Sequence, residues 1–439
     1  MQETGAETMR SAGRRMWRRG TRRVRRTVGQ RSGLLAYLAV LGPGIIAANA
    51  GNDASGIATY STVGARYGYS LLWTLIPIML SLGIVQDMCA RMGVVTGKGL
   101  ADLIREQFGV RWTALVMLAL LVANGGVIVS EFVGIAAATE LFGVSRYLSV
   151  PFAAASIWWI VVKGSYKRVE RIFLLMSLVF LGYIVSAFLA RPVWSEVARE
   201  TVRPSFSFDS GYLFMLVALI GTTITPFMQV FVQSSVVEKG ATKDDYKLIR
   251  ADVWVGTVFS VCIAFFIVIS TAATLNKSGV EIESAADAAS ALAPVAGEYA
   301  KLLFATGLFG AAMLAVGVLP LATAYSVSEA LGFEKGVSRS FREAPIFIGI
   351  FTFLIAVGAF IAMIPNLPTI RVLLATQFVN GILLPVILVA VLRLAGDREL
   401  MGAYANGRVY NATAWLMVII ISTLSLLLVV TTLFPNLVD

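Results

Sequence analysis

One acid within an apolar stretch is the feature of this sequence with the clearest chemical potential. The stretch from Leu41 to Tyr60, LGPGIIAANAGNDASGIATY, contains Asn49, Asn52 and Asp53. Its glycines let the backbone unwind, and because hydrocarbon cannot satisfy unwound peptide groups, such a break must face protein or a watery cavity. An acid there indicates a path for an ion or for protons. The alternative is a turn outside the membrane, in which Asp53 caps the following helix.

The composition identifies the class of protein. Of the 439 residues, 57% are hydrophobic and only 14% are charged, whereas a soluble domain has about 25% charged residues. The mean hydropathy is +0.79, so the chain is a polytopic membrane protein. Cys89 and Cys262 both lie in apolar segments and indicate neither a disulfide framework nor a metal cluster. The sequence has no histidine, which removes the usual catalytic base, so an enzyme is not expected.

The net charge of +10 is concentrated near the N-terminus, where ten arginines fall between Arg10 and Arg31. Next to a membrane domain, such a run predicts a disordered cytoplasmic tail over residues 1–33 that contacts anionic lipid headgroups. It does not indicate nucleic-acid binding. A tail that only fixes the membrane topology is the alternative.

The remaining residues, 34–439, are predicted to form one transmembrane domain with eleven segments long enough to cross a hydrocarbon core of ~30 Å. These segments cover approximately residues 35–66, 70–94, 112–141, 147–163, 171–190, 211–236, 252–275, 302–331, 345–365, 370–395 and 411–434. Lysine and arginine are concentrated in alternate loops, which places the N-terminus in the cytoplasm and the C-terminus outside. The sequence thus predicts an all-α, multi-pass protein of the cell membrane.

A second interruption lies in the sixth segment, LVALIGTTITPFMQVFVQSS. Gly221 and Pro226 enclose Thr222, Thr223 and Thr225, and the proline removes one helical hydrogen bond. Interrupted first and sixth helices are what an inverted repeat of five plus five helices predicts, with a site at the midplane between the breaks. Half-helix ends and freed carbonyls beside one carboxylate describe a cation site.

The chain resembles the Nramp family of divalent-metal transporters over nearly all eleven segments. Besides the first broken segment, the resemblance is carried, in order, by ARMGVVTGKGLADLIRE, GSYKRVERI, TQFVNGILLP and GDRELMG. It implies a LeuT-like fold, with helices 1–5 and 6–10 forming the inverted repeat, and metal import by alternating access, usually with protons. The metal is then a substrate, with no cofactor and no obligatory protein partner expected.

The metal-binding motifs depart from the family pattern. In the family, an aspartate and an asparagine of the first helix join a backbone carbonyl and a methionine sulfur of the sixth helix. The matching positions here hold Asp53 and Gly56 in the first helix, with Thr222 as the carbonyl donor and Thr225 replacing the methionine. Gln377 in the tenth helix is a further candidate for contact with the ion or its waters, or else makes an interhelical hydrogen bond.

These departures predict a harder and roomier site. Thioether sulfur suits transition metals, whereas carboxylate, hydroxyl, carbonyl and water suit Mg²⁺ and Mn²⁺. Mg²⁺ also keeps several of its waters when it binds. We therefore expect uptake of Mg²⁺, with Mn²⁺ also accepted, as in the Nramp-related magnesium transporters that these changes resemble. Met228 is the only sulfur close enough to compete.

Obligatory proton coupling is not expected. The third helix keeps Glu131 but has Ile128 at the position of the family's other acid, and Phe227 stands where the family usually has histidine. Glu131 either carries protons or is a structural acid. Asp87 is expected to extend to the membrane interface. The alternatives are a proton-coupled Mn²⁺/Fe²⁺ symporter of the Nramp type and an amino-acid or organic-cation permease on the same fold.

Overall fold

A computed structural model describes residues 42–433, except for 165–167, 170, 173–174, 176–180, 280–281, 283–287, 289–299, 338 and 366. Every regular element in these ranges is a helix. The basic tail over residues 1–33 lies outside the described residues, so its disorder and its contact with lipid stay predictions.

Fifteen α-helices lie in the described ranges. They are α1 (Pro43–Ala50), α2 (Ala54–Tyr67), α3 (Leu75–Thr96), α4 (Leu100–Glu140), α5 (Arg146–Lys163), α6 (Leu181–Leu189), α7 (Trp194–Val202), α8 (Ser210–Thr223), α9 (Pro226–Glu238), α10 (Tyr246–Thr271), α11 (Ala300–Leu331), α12 (Pro345–Ala362), α13 (Thr369–Gly396), α14 (Arg398–Met401) and α15 (Arg408–Leu433). Single turns of 3₁₀-helix cover Leu72–Thr74, Lys243–Asp245 and Gly402–Tyr404, and a π-helix covers Ala272–Asn276.

Eight helical stretches among the described residues are long and apolar enough to cross a membrane. They are Leu72–Thr96, Leu100–Glu140, Ser210–Glu238, Lys243–Asn276, Phe304–Leu331, Pro345–Ala362, Thr369–Gly396 and Arg408–Val430. The first and fifth predicted segments lie partly outside the described residues, and the fourth, α5, is charged at both ends. The all-helical membrane class is therefore confirmed, whereas the number eleven stays a prediction.

The first predicted segment is broken at residues 51–53, which we call the first break. α1 ends at Ala50, and Asp53 adopts an extended backbone before α2 begins. Asp53 does cap α2, because its carboxylate accepts a hydrogen bond of 2.6 Å from the Gly56 N–H. It is nevertheless completely buried, as is Asn52 beside it, so this segment is not an exposed turn.

The sixth predicted segment is broken at Ile224 and Thr225, which we call the second break. α8 ends at Thr223, and α9 begins at Pro226. Proline is well suited to the first position of a helix, since the N–H it lacks would have no helical partner there. Both predicted interruptions are thus present.

Two features of the connections were not predicted. α4 begins at Leu100, well before the predicted third segment, and bends at Gly109, whose φ of 75° lies in the left-handed region that favours glycine. The short helix α7 (Trp194–Val202) follows the fifth predicted segment. Its sequence, WSEVARETV, is short and has too few apolar residues to be predicted as a membrane segment.

α10 packs against both halves of the first broken segment, α1 and α2. A Cβ atom added at Gly44 of α1 would lie 2.7 Å from the Val253 backbone, and one at Gly256 would lie 2.7 Å from Ile45 Cα. Further along α10, a Cβ added at Gly64 of α2 would lie 2.0 Å from the Thr271 hydroxyl oxygen. Only residues without a side chain permit this approach, so α10 fixes the position of the first break.

Candidate metal centre

The Asp53 carboxylate is the charged group at the centre of the candidate site. Its Oδ1 accepts the hydrogen bond from the Gly56 N–H, while its Oδ2 is buried and has no hydrogen-bond partner among the described residues. A buried carboxylate oxygen without a partner is costly, since it has lost its hydration and gained nothing in exchange. A cation beside Oδ2 would supply the missing interaction.

Three oxygen atoms from the two breaks converge around Gly56. A Cβ atom added at Gly56 would lie 2.7 Å from the Gly51 carbonyl oxygen, 3.0 Å from the Thr222 hydroxyl oxygen and 3.2 Å from Asp53 Oδ1. We call these three atoms the oxygen cluster. Because Gly56 has no side chain, these three oxygens can lie close to one another, and carboxylate, carbonyl and hydroxyl are ligands that suit Mg²⁺ and Mn²⁺.

Thr222 contributes in two ways at the end of α8. Its hydroxyl is buried without a hydrogen-bond partner, and its carbonyl oxygen lies 3.4 Å from the position of a Cβ added at Gly51. The residue four positions later is Pro226, which has no N–H to donate to that carbonyl as in an ordinary helix. The sequence predicts the Thr222 carbonyl as a ligand. The structure places the Thr222 hydroxyl in the oxygen cluster and the carbonyl next to Gly51.

Thr225 lies at the second break, immediately before α9. Its hydroxyl is completely buried, does not cap the helix and has no hydrogen-bond partner among the described residues. The hydroxyl at the position predicted to match the family's methionine is therefore not engaged by another described residue.

Gln377 of α13 lies beside the Asp53 carboxylate. Its Oε1 accepts a hydrogen bond of 2.9 Å from the Asn380 amide, within the same helix, and its Nε2 has no hydrogen-bond partner among the described residues. In this arrangement the Gln377 amide oxygen is engaged within α13. Rotation of the amide about its last side-chain bond would free the oxygen.

Glu131 of α4 binds the start of α2, directly beside Asp53. Its Oε2 accepts a hydrogen bond of 2.8 Å from the Ala54 N–H, and its Oε1 accepts from the Ser55 N–H at 3.2 Å and hydroxyl at 2.8 Å. A carboxylate at a helix N-terminus is favoured by the exposed N–H groups and by the helix dipole. Glu131 therefore positions the residue that carries the site's charge, and the two carboxylates are close enough to repel each other.

Two residues of α10 that the sequence analysis missed hold α1 and the first break. Asp252 accepts hydrogen bonds from the Gly42 N–H at 2.8 Å and the Gly44 N–H at 2.7 Å. Ser260 donates to the Ala48 carbonyl at 2.6 Å, and its own carbonyl accepts from the Asn52 amide at 3.0 Å. With Gly256, these residues recur every four positions on one helix face, a spacing that the sequence does contain.

The prediction for Asp87 is wrong. Its side chain is buried and accepts hydrogen bonds from the hydroxyls of Tyr246 at 2.9 Å and Tyr410 at 3.0 Å, with Arg250 at 3.6 Å. Because these donors satisfy the carboxylate inside the protein, it has no need to reach the interface. Asp87 links α3, α10 and α15 and lies outside the candidate site.

The sulfur of Met228, next to the site, is turned towards another side chain. The methyl carbon of Met228 would lie 1.9 Å from a Cβ added at Gly51, so it packs against the first break. Its sulfur accepts a hydrogen bond of 3.6 Å from the Gln86 amide. Within the part of the chain that the structure describes, no group of three or more His, Cys, Asp or Glu side chains could hold a metal, so any ion here binds mainly through neutral oxygens and one carboxylate.

Comparison with known proteins identifies the class to which this fold and site belong. The family profile described as Natural resistance-associated macrophage protein-like matches residues 44–431. The chain therefore belongs to the Nramp family. The divalent metal cation transporter MntH of Ralstonia nicotianae is 30% identical over 423 residues, which cover 88% of this chain and 90% of that protein. The transporter of the same name from Deinococcus radiodurans is 27% identical, covering 92% of each chain.

Solved structures confirm the LeuT-like fold. The Eremococcus coleocola manganese transporter, crystallised with an aromatic bis-isothiourea substituted compound, matches with a TM-score of 0.74 and 18% identity, over 92% of this chain and 90% of its own. A nucleobase-cation-symport-1 family transporter matches with a TM-score of 0.57 and 14% identity over 90% of this chain. The curated relatives are transporters, so transport, not catalysis, is the class of function, and the metal is substrate.

Proposed function

We propose that this protein carries Mg²⁺ and Mn²⁺ across the cell membrane by alternating access, with the ion bound between the two breaks. Asp53 would supply the charge, and Thr222, Thr225 and Gln377 would supply neutral groups. The observation that carries this proposal is the unpartnered Asp53 Oδ2 on the carboxylate whose other oxygen belongs to the oxygen cluster. Alternating access around a midplane site between half-helices is the general mechanism of this fold.

The choice of ion follows from the donor atoms. Oxygen donors suit both Mg²⁺ and Mn²⁺ and give no advantage to softer ions. The relatives named for divalent metals and for manganese support Mn²⁺ as a substrate. The single carboxylate among neutral oxygens supports Mg²⁺, because that ion is usually bound by one or two carboxylates.

The test is flux into proteoliposomes that contain the purified full-length protein. Mg²⁺ and Mn²⁺ should both enter, each should compete with the other, and Cd²⁺ should compete less well. Asp53→Asn is the matched control, since it keeps an oxygen for the Gly56 N–H but removes the charge. Uptake of amino acids without uptake of Mg²⁺ or Mn²⁺ would favour the permease and contradict the proposal.

A proton-coupled Mn²⁺/Fe²⁺ symporter is the second candidate, and it is favoured by the relatives' names and by the closeness of Glu131 to Asp53. We favour uncoupled uptake because both Glu131 oxygens are occupied by the start of α2. The membrane potential then drives import with ~2.3 kcal/mol per charge per 100 mV, and about twice that for a divalent ion. Internal acidification at a fixed ratio to Mn²⁺ entry, abolished together with metal flux in Glu131→Gln, would establish the symporter.

We also propose that the N-terminus is cytoplasmic, that the C-terminus is extracellular and that the basic tail contacts anionic lipid. The ten arginines between Arg10 and Arg31 support this orientation. Labelling of single cysteines placed in the tail and after α15, in intact cells, tests the topology. Loss of tail protection from protease when anionic lipid is omitted from the liposomes tests the lipid contact.

A further inference from the structure

Two buried side chains face each other beside the candidate metal site without taking part in it. Gln86 of α3 and Met228 of α9 are both 0% exposed to solvent. The Gln86 Nε2 lies 3.6 Å from the Met228 sulfur, and the Gln86 Oε1 has no hydrogen-bond partner among the described residues.

This pairing is a poor one for stability. A thioether is a weak hydrogen-bond acceptor, and a buried amide gains more from an oxygen partner. Gln86 has also given up the hydration of its own oxygen. An amide in this position therefore contributes little to packing that an apolar residue of the same size would not contribute.

The position of Met228 explains what the amide achieves. The methionine methyl packs against Gly51, whose carbonyl belongs to the oxygen cluster. The Met228 sulfur is bonded to this methyl carbon, so it lies one covalent bond from an atom that packs against the first break. Methionine has three rotatable side-chain bonds and adapts readily, so rotation about the bonds that precede the sulfur would turn the sulfur towards the break.

We propose that Gln86 is a specificity-determining residue, which holds the Met228 thioether away from the transported cation. The Gln86 N–H keeps the sulfur lone pair directed towards α3, and the methyl group faces the break. The site then presents oxygen ligands only, which disfavours soft ions such as Cd²⁺ relative to Mg²⁺ and Mn²⁺. This inference rests on the proposed function, because it names how that site chooses its ion.

The test compares Gln86→Leu, Met228→Leu and the double variant, each as the full-length protein in proteoliposomes. Gln86→Leu removes the donor at similar volume, so the ratio of Cd²⁺ to Mn²⁺ uptake should rise several-fold. The double variant should return to the wild-type ratio, since the sulfur is gone. Met228→Leu alone should leave the ratio unchanged, because the sulfur does not face the ion when Gln86 is present.

Cadmium X-ray absorption of the same proteins supplies a readout independent of transport. Sulfur should appear in the first coordination shell of Cd²⁺ bound to Gln86→Leu, and should be absent from the wild type and from the double variant. A merely structural Gln86 would lower uptake of all ions equally and leave the absorption spectrum unchanged.

Several results would overturn the inference. These are an unchanged Cd²⁺/Mn²⁺ ratio in Gln86→Leu, a raised ratio that persists in the double variant, and sulfur bound to Cd²⁺ in the wild type. If Gln86→Leu does not fold, a lowered Cd²⁺ uptake in Met228→Leu would equally overturn it. Wild-type protein that carries neither Mg²⁺ nor Mn²⁺ would instead contradict the proposed function, so the two failures are distinct.

Discussion

The two breaks interrupt equivalent helices of the inverted repeat, but they are held in different ways. At the first break, the buried carboxylate of Glu131 binds the start of α2, and that of Asp252 binds α1 at its other end, away from the break. At the second break no carboxylate binds the start of α9, and the hydroxyls of Thr222 and Thr225 have no partner among the described residues.

This difference separates two tasks. The first break carries the charge, and charge-assisted hydrogen bonds, which are stronger than neutral ones, hold it in place. The second break supplies neutral oxygens that nothing else occupies, so they remain available to an ion or to its waters. A transporter needs a fixed anion to attract the ion and adaptable ligands to release it, and the two breaks divide these roles between them.

Removal of the charge at the first break should have the largest effect. Asp53→Ala should abolish uptake of Mg²⁺ and Mn²⁺, because Asp53 supplies the carboxylate of the oxygen cluster. Uptake in proteoliposomes measures the effect, and the melting temperature in detergent shows whether the variant is folded. Wild-type flux through a well-folded Asp53→Ala protein would show that the ion binds elsewhere.

Asp252→Ala should have the next largest effect, although Asp252 never touches the ion in this arrangement. Two hydrogen bonds from backbone N–H groups to a buried carboxylate are lost, which should lower stability by about 3 kcal/mol. Thermal unfolding in detergent measures the loss. Asp252→Asn should be intermediate, because its amide oxygen retains one of the two bonds.

The matched change at the second break is Thr225→Val, which replaces a hydroxyl by a methyl of the same shape. Since that hydroxyl has no partner to lose, the melting temperature should stay within a few degrees of wild type. An equal loss of stability from Asp252→Ala and Thr225→Val would remove the contrast between the two breaks.

The sequence was sufficient to predict both breaks and the acid between them. The small residues around Asp53 and the proline that follows three threonines are local signals. Each of them indicates that the helix is interrupted at that point of the chain. The partners of these breaks were not predictable in the same way. Asp252 and Gly42 are 210 positions apart in the sequence. The spacing of polar residues along α10 shows that they share one face of the helix, but it does not show which other helix that face contacts.

The sequence leaves the role of Glu131 undecided and predicts the position of Asp87 wrongly, and both outcomes have the same cause. Glu131 was predicted as either a proton carrier or a structural acid, and only its contact with the Ala54 N–H shows what it binds. Asp87 lies near the end of its predicted helix, which suggested the interface, but the two tyrosines that bind it belong to α10 and α15. In both cases the deciding information is a long-range contact.

Changes in ligand type should alter selectivity by a smaller amount. Thr225→Met returns a soft ligand to the second break and should raise Cd²⁺ and Mn²⁺ uptake relative to Mg²⁺. Adding Gly56→Asn should narrow the site further and disfavour hydrated Mg²⁺. Competition assays with the single and double variants measure the ranking, and an unchanged ranking in the double variant would mean that Thr225 does not face the ion.

The structure adds a condition to the change at Gly56. A Cβ atom there would lie 2.7 Å from the Gly51 carbonyl oxygen, and a backbone atom cannot move aside as easily as the end of a side chain. Gly56→Asn alone should therefore lower the total flux as well as shift selectivity. Gly56→Ala is the control, because it introduces the same close contact without an additional oxygen ligand.

The smallest effect is expected from a pH gradient. Glu131 accepts three hydrogen bonds at the start of α2, so both of its oxygens are engaged in holding that helix end. The chain also has no histidine, the side chain that most readily exchanges protons near neutral pH. Mn²⁺ uptake into liposomes at a fixed membrane potential should therefore be nearly the same with and without an inward pH gradient. A negative internal potential should by contrast increase it strongly, since each divalent ion moves two charges. Stimulation by the pH gradient at zero potential would show that the charges of the first break titrate during transport, and it would remove the distinction between a fixed first break and an adaptable second one.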